Sequence, residues 1–334
     1  MKVVDMHCDT IAKIYYLQRD GKEGSILRND LHIDLEKMEK GDYLLQNFAL
    51  FVNLEKHERP FEYAMKLADV FYTEMEAHSD KIGIVRSWAD IEANRAAGRM
   101  SALLTLEEGG ICQGELSYLR DFYRLGARMM TLTWNYRNEL AWPNKLAETD
   151  GEPVRPSKYI PDTEHGLTET GITFVEEMER LGMIIDISHL NDAGIWDVFR
   201  HTKKPFVASH SNARALASHP RNLTDEMIRE LGARGGVAGI NFCAAFLRDT
   251  EDGGNPVHSR IDDMVRHMKH MKKVGGIGVI GLGTDFDGIT SIVEMGDCSG
   301  MQQLADEMSR QGFTTGEIEA VFHENVLRVY KELL

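Results

Sequence analysis

The stretch K-V-V-D-M-H-C-D-T (residues 2–10) decides between the two folds that suit this chain. It begins as an apolar run typical of a buried strand and ends in His7 and Asp9, two residues apart. A doubly wound sheet commonly has a glycine-rich phosphate-binding turn after its first strand, and no such turn follows here. The stretch therefore favours a barrel, whose functional side chains lie at the ends of its strands.

Seven further apolar runs follow this first one. The eight runs cover residues 2–7, 44–52, 101–108, 127–134, 183–189, 205–210, 236–242 and 277–286. They are nearly continuous in hydrophobicity, as in parallel strands covered on both faces. Helical patterns separate them, for example 60–79 and 168–182, the second of which ends at Gly182. Eight strands alternating with helices predict an α/β fold, a (β/α)8 TIM barrel, formed by residues 1–334 as a single domain.

Composition limits the partners of this chain. The 334 residues contain 38 Lys and Arg against 53 Asp and Glu, a net charge of -15, which argues against nucleic acid and anionic membranes. The four cysteines form no C-x-x-C pair and are expected to be reduced. Neither a secretory leader nor an apolar segment long enough to span a bilayer is evident. We therefore expect a cytoplasmic protein.

Polar residues with metal-binding chemistry stand at several of the predicted strand ends. They are His7 and Asp9, Glu107 and Glu108, His189, His210, and Asp285 and Asp287. A lone histidine at a strand end is usually a satisfied core or loop residue. Three at the same end of a barrel, with carboxylates beside them, predict a site for Zn²⁺ or a similar divalent ion.

Spacing distinguishes some of these candidates. Residues two apart in a strand face the same way, so His7 and Asp9 can bind one ion while Cys8 points elsewhere. By the same alternation, only one of Glu107 and Glu108 faces the barrel mouth. A carboxylate there that reaches both His7 and the other histidines would bridge two metals, an arrangement used in hydrolysis.

The motifs together resemble one known family. They are D-M-H-C-D-T at the start, L-E-E-G-G (106–110), T-L-T-W (131–134), G-L-T-E-T-G (166–171), R-L-G-M-I-I-D-I-S-H (180–189), F-V-A-S-H-S (206–211), R-N-L-T-D (221–225) and G-T-D-F-D-G (283–288). In this order the chain resembles the membrane dipeptidase (renal dipeptidase) family of zinc peptidases, among the amidohydrolase-type barrels, as a bacterial-type member. The resemblance implies a metal-dependent hydrolase that cleaves dipeptides.

The resemblance also implies site roles. A binuclear site with two Zn²⁺ ions and a bridging hydroxide would be held by His7, Asp9, Glu108, His189 and His210. Glu108, directly before the glycine pair, would bridge the two ions. Asp285 would handle the proton, and Arg221 would receive the substrate's free carboxylate, for which a guanidinium is well suited.

One position departs from the family pattern. Animal members carry a substrate-contacting histidine after T-L-T, whereas this chain has Trp134, followed by Asn135. By the resemblance, Trp134 and Asn135 are expected to bind the substrate, as is Arg221. The change leaves the preferred dipeptide open. An N-acyl amino acid deacylase or a lactonase on the same scaffold stays an alternative, as does a non-catalytic metal-binding barrel. The resemblance leaves a homodimer open and gives no reason to expect a membrane anchor.

Overall fold

The computed structural model describes residues 1–146, 159–250 and 256–334. Its strands, in chain order, are β1 (Val3–Asp5), β2 (Tyr43–Phe51), β3 (Ile82–Val85), β4 (Met100–Glu107), β5 (Met129–Thr131), β6 (Lys145–Leu146), β7 (Tyr159–Ile160), β8 (Ile184–Asp186), β9 (Val207–Ala208), β10 (Val237–Ile240), β11 (His258–Ser259), β12 (Ile280–Leu282) and β13 (Ile292–Val293).

Eight parallel strands among these residues close into a barrel. Their order is β2-β1-β12-β10-β9-β8-β5-β4, and pairing of β2 with β4 closes the ring. Each of the eight predicted runs overlaps one of these strands, so the predicted TIM barrel is confirmed. The sequence did not predict β3, which pairs with the first half of β4, from Met100 to Leu103. Its four residues are too few to stand out from the preceding helix.

Helices cover the outside of the barrel. They are α1 (Thr10–Arg19), α2 (Leu35–Lys40), α3 (Pro60–Ala77), α4 (Trp88–Ala96), α5 (Leu116–Leu125), α6 (Glu169–Leu181), α7 (Asp192–His201), α8 (Asp225–Ala233), α9 (Ala244–Leu247), α10 (Ile261–Gly275), α11 (Gln302–Arg310), α12 (Thr315–Glu319) and α13 (Asn325–Leu333). The predicted limits of α6 are confirmed. The Thr168 side chain accepts a hydrogen bond from Gly171 N, and Gly182 ends the helix with a φ of 80°.

Buried apolar side chains form two layers. A large cluster lies between the strands and the helices and includes Leu104 and Leu106 of β4. A second cluster includes Leu103 of β4 and, from α13, Val329 and Tyr330. Since alternate residues of a strand face opposite sides, Leu103 and Glu107 share the face of this second cluster, the inside of the barrel.

The helices also bear on the membrane question. Along the described parts of the chain, no helix combines the length and the apolar character needed to cross a bilayer.

Candidate metal centre

The carboxyl end of the barrel gathers the predicted histidines around Glu107. His7 follows β1, His189 and His210 follow β8 and β9, and Glu107 is the last residue of β4. Glu107 Oε2 lies 3.3 Å from His7 Nε2, and Glu107 Oε1 lies 3.3 Å from His189 Nε2 and 3.9 Å from His210 Nε2. The two oxygens of one carboxylate thus face two separate sets of ligands.

Two aspartates complete the side of the site that contains His7. Asp9 Oδ2 and Asp285 Oδ1 each lie 3.9 Å from His7 Nε2. These three residues offer ligand atoms within 4.8 Å of one another, as do His7, Glu107 and His210. We call His7, Asp9 and Asp285 the acid-rich half, and His189 with His210 the histidine pair.

The expectation that Glu108 faces these ligands is wrong. Its carboxylate accepts hydrogen bonds from Gly110 N at 2.7 Å, from Trp134 N at 2.8 Å and from Asn138 Nδ2. Glu108 therefore braces the loop after β5, and Glu107 occupies the central position. The cause is alternation, because Glu107 continues the inner face of β4 and Glu108 the outer one.

A signal in the sequence distinguishes the two glutamates. Along S-A-L-L-T-L-E-E (101–108), the odd positions carry Ser101 and Thr105, whereas the even positions before Glu108 are apolar. Both polar side chains are buried, at 1% exposure. Buried polar residues of the same parity as Glu107 mark the inner face of the strand.

The ligand atoms fit a divalent metal. His7 Nε2, Asp9 Oδ1 and Glu107 Oε2 are buried and have no hydrogen-bond partner among the described residues. Buried polar atoms without partners are costly, and three of them at one point need a cation. Nitrogen and carboxylate donors in this combination suit zinc.

The outer nitrogens of the histidine pair indicate the same requirement. His189 Nδ1 donates to Asn135 Oδ1 at 3.0 Å, and His210 Nδ1 donates to Ser209 Oγ at 2.7 Å. Ser209 Oγ in turn donates to Asp186. Each Nε2 is thereby left with a lone pair, yet the two Nε2 atoms are 3.0 Å apart. A bound cation removes the repulsion between them.

Asp5 and Asp186 are supporting residues that the sequence analysis missed. Asp5 accepts from His7 N at 3.2 Å and from Thr284 N at 3.0 Å, and Asp186 accepts from Ser188 N at 2.9 Å and Ser209 N at 2.8 Å. Both are fully buried. The recurring patterns V-V-D-M-H (3–7) and I-I-D-I-S-H (184–189), each with an aspartate shortly before the histidine, were the available signal.

The backbone is strained at the site. His189 and Asp285 have φ values of 68° and 61°, a region that residues other than glycine rarely adopt. Such strain clusters at functional sites, where the surrounding structure enforces it. Gly288 is needed for space, since a Cβ atom there would overlap the carboxylates of Asp9 and Asp285.

Burial and charge perturb the metal-free acid-rich half. Burial raises the pKa of Glu107 to about 8, despite the opposing charge of His7. Burial alone would lower the pKa of His7, but the negative charges of Glu107 and Asp9 raise it well above its ordinary value. Burial also raises the pKa of Asp285 to about 6, while Asn241 Nδ2, donating at 2.9 Å, lowers it.

The histidine pair is perturbed in the opposite sense. Burial lowers the pKa of His189 and of His210 well below its ordinary value, and the positive charges of Arg221 and His7 add to this. Both imidazoles are therefore neutral near pH 7 and can act as ligands without losing a proton.

Arg221 lies beside the histidine pair and is 7% exposed. Its Nη1 donates to Ser211 Oγ and its Nη2 to His210 O, each at 3.3 Å. Its Nε is buried without a partner within the described residues. A cavity lined by Arg221, His189 and Asn135 opens at this guanidinium. A buried cation without a carboxylate partner is suited to binding an anionic ligand.

A larger cleft, of about 440 Å³, lies over the metal ligands. Trp134 and Asn135, two of the three predicted substrate-binding residues, line it together with Glu107 and Asp285. Asn135 also lines the cavity at Arg221, so the two spaces adjoin. The predicted site residues, with Glu107 in place of Glu108, thus surround one continuous opening.

A TIM barrel with this set of strand-end ligands defines a metal-dependent hydrolase. The sequence model of the membrane dipeptidase family (peptidase family M19) matches residues 1–333. The chain therefore belongs to the membrane dipeptidase family, and it is an enzyme that hydrolyses peptide bonds.

Individual relatives agree with this assignment. An uncharacterized dipeptidase of Schizosaccharomyces pombe is 32% identical over 318 residues, covering 90% of this chain and 72% of its own length. The crystal structure of a metallopeptidase, dipeptidase AC, superimposes with a TM-score of 0.88 at 27% identity, covering 100% of this chain and 98% of that one. A metallopeptidase from Rhodobacter sphaeroides, liganded with a phosphinate mimic of L-Ala-D-Ala, gives 0.86 at 25% identity, covering 100% and 99%.

Proposed function

We propose that this protein is a zinc dipeptidase with a binuclear centre. His7 and Asp9 would hold one ion, His189 and His210 the other, and Glu107 would contact both. When bound, the ions supply a hydroxide nucleophile near neutral pH and polarise the scissile carbonyl. The proposal treats residues 1–334 as one catalytic domain.

Asp285 is suited to move the proton. Its Oδ1 faces the acid-rich half, and Asn241 fixes its Oδ2. Its pKa of about 6 is close enough to neutrality for the carboxylate to accept a proton and to donate it later to the leaving amine.

The position of Arg221 is the observation that most supports a dipeptide substrate. It is a buried cation that opens into a cavity beside the metal ligands. A free carboxylate bound there would place the adjoining amide at the centre, which limits substrates to short peptides with a free C-terminus. The ligand-bound relative with a dipeptide mimic supports this choice.

The test is metal analysis together with a substrate panel. We expect about two zinc ions per chain and hydrolysis of dipeptides. A chelator should abolish the activity, and added zinc should restore it. Arg221→Lys should raise KM for dipeptides strongly, because a point charge replaces the planar fork of the guanidinium. Turnover of N-acyl amino acids or lactones without any turnover of dipeptides would instead support the alternatives on this scaffold.

A further inference from the structure

The cleft over the metal ligands has a basic end opposite Arg221. Lys13 of α1 and Lys56, in the turn after β2, line it together with Tyr16 and His57. None of these four lines the cavity at Arg221. Lys13 and Lys56 follow β1 and β2, whereas Arg221 follows β9 on the opposite side of the ring of strands. The metal ligands Asp9, Glu107 and Asp285, at the strand ends, line the cleft between these two sides.

The proposed function gives the cleft a direction, and the present inference rests on it. With the C-terminal carboxylate at Arg221 and the scissile carbonyl at Glu107, the N-terminal residue extends away from Arg221. Its amino group then lies among the carboxylates of Asp9, Asp285 and Asp287, which line this part of the cleft. Its side chain extends further, toward Lys13 and Lys56.

The two lysines are free to bind an anion. Both are exposed, and neither forms an ion pair with a described residue, since the lysine pairs in those parts of the chain involve other lysines. The chain as a whole carries a net charge of -15. Lys13 and Lys56 therefore add two positive charges to a cleft whose other charged lining groups include the carboxylates of the metal centre.

His57 lies close to Lys56 and is affected by nearby positive charges. Partial burial lowers its pKa, and the positive charges of Lys56, Arg19 and Lys66 lower it further. The ring is held in place, stacked on Tyr63 with centroids 3.6 Å apart and bonded to Tyr16 Oη at 3.2 Å. These contacts hold the polar side chains of this wall in fixed positions.

We propose that the enzyme prefers dipeptides whose N-terminal residue has an acidic side chain, and that Lys13 and Lys56 bind that carboxylate. The specificity is set by charge at the far end of the cleft and is separate from the carboxylate contact at Arg221.

The first experiment compares isosteric substrates with the zinc-loaded enzyme. We expect kcat/KM for Glu-Ala to exceed that for Gln-Ala by roughly 5-fold, the sum of two exposed ion pairs, and Lys-Ala to be the poorest of the three. The difference should shrink at high salt because exposed charges are screened. Equal or faster hydrolysis of Gln-Ala would overturn the proposal.

The second experiment changes the lysines. Lys13→Gln and Lys56→Gln should each lower the Glu-Ala to Gln-Ala ratio by about 2-fold, because kcat/KM falls more for Glu-Ala than for Gln-Ala. The double variant Lys13→Glu, Lys56→Glu should favour Lys-Ala. Lys273→Gln, which changes an exposed lysine of α10, is the matched control and should keep the wild-type ratio. An unchanged ratio in the lysine variants, or an equal loss on all three substrates, would contradict the assignment.

Failure of this inference can be told from failure of the proposed function. If kcat/KM is equal for Gln-Ala, Lys-Ala and Glu-Ala, the protein is a dipeptidase but has no preference for an acidic N-terminal residue. If the zinc-loaded enzyme hydrolyses no dipeptide at all, the proposed function falls and this preference falls with it.

Discussion

The acid-rich half and the histidine pair meet at one carboxylate but differ in charge. His7, Asp9 and Asp285 bring two carboxylates around a histidine whose pKa is raised, whereas His189 and His210 are neutral. Each half is braced by a buried aspartate at the end of its strand, Asp5 in β1 and Asp186 in β8. The same fold device therefore supports two electrostatically different sites.

The difference assigns separate tasks to the two halves. The acid-rich half includes Asp285 and stabilises positive charge, so it suits proton transfer at the reacting centre. The histidine pair lies beside Arg221 and is neutral near pH 7. Arg221 Nε has no partner among the described residues, so the guanidinium is suited to bind a substrate carboxylate. Four experiments test this division.

The largest effect is expected from Glu107→Gln, which alters both halves at once. Losing the shared charge should lower kcat/KM by roughly 10³-fold or more and reduce metal content in both halves. Activity assays and metal analysis on the purified variant measure this. Glu108→Gln is the matched change one residue away, and it should retain both metals. If Glu108→Gln loses metal and Glu107→Gln does not, the central metal ligand is Glu108 and not Glu107.

Removing one histidine should empty one half only. His7→Ala and His189→Ala are each expected to lower metal content from about two ions to about one and kcat/KM by roughly 10²-fold. Metal stoichiometry with and without added zinc distinguishes the halves. His201→Ala, at the exposed end of α7, should behave as the wild type. Full metal content in both site variants would count against two separate sites.

The brace of the histidine pair should have a smaller effect. Asp186→Asn weakens the hold on Ser209, which orients His210, so we expect zinc affinity to fall by roughly 10- to 100-fold. Competition with a zinc chelator measures the affinity. Only the zinc ion bound by His189 and His210 should be affected. An equal loss of affinity for both ions would mean that Asp186 supports the whole carboxyl end of the barrel.

In the metal-free protein, the difference in charge between the two halves should make the free energy of unfolding depend on pH. Between pH 6.5 and 8 the folded state retains protons on Glu107 and His7 that the unfolded chain releases, so the free energy of unfolding falls as pH rises. The fall from Glu107 alone is about 2 kcal/mol over this range. The histidine pair acts in the opposite sense, chiefly below pH 6.5, where stability rises with pH.

Thermal unfolding of chelator-treated protein at pH 6.5 and pH 8 checks this expectation. Glu107→Gln should flatten the dependence, because the amide does not titrate. A Tm that rises with pH across this window would contradict the assignment of buried protons to the acid-rich half and Glu107.

Much of the fold and site was predictable because both follow local patterns. Each of the eight apolar runs overlaps a barrel strand. The residues that follow these strands include the predicted site residues His7, Asp9, His189, His210 and Asp285. Glu108 was chosen because it directly precedes the glycine pair of the family motif. That choice was wrong, because alternate residues of a strand face opposite sides, and it is Glu107 that faces the inside of the barrel. The cytoplasmic location and the homodimer stay predictions.

The sequence by itself determined the barrel and the chemical types at its mouth, since hydrophobic periodicity and residue identity are local properties. Only the tertiary structure decided which glutamate lies between the histidines, because that depends on which face of β4 lines the barrel. It also revealed Asp5 and Asp186 as braces and Lys13 and Lys56 as neighbours across one cleft. Those relations join residues far apart in the chain, and only the closing of the sheet brings them together.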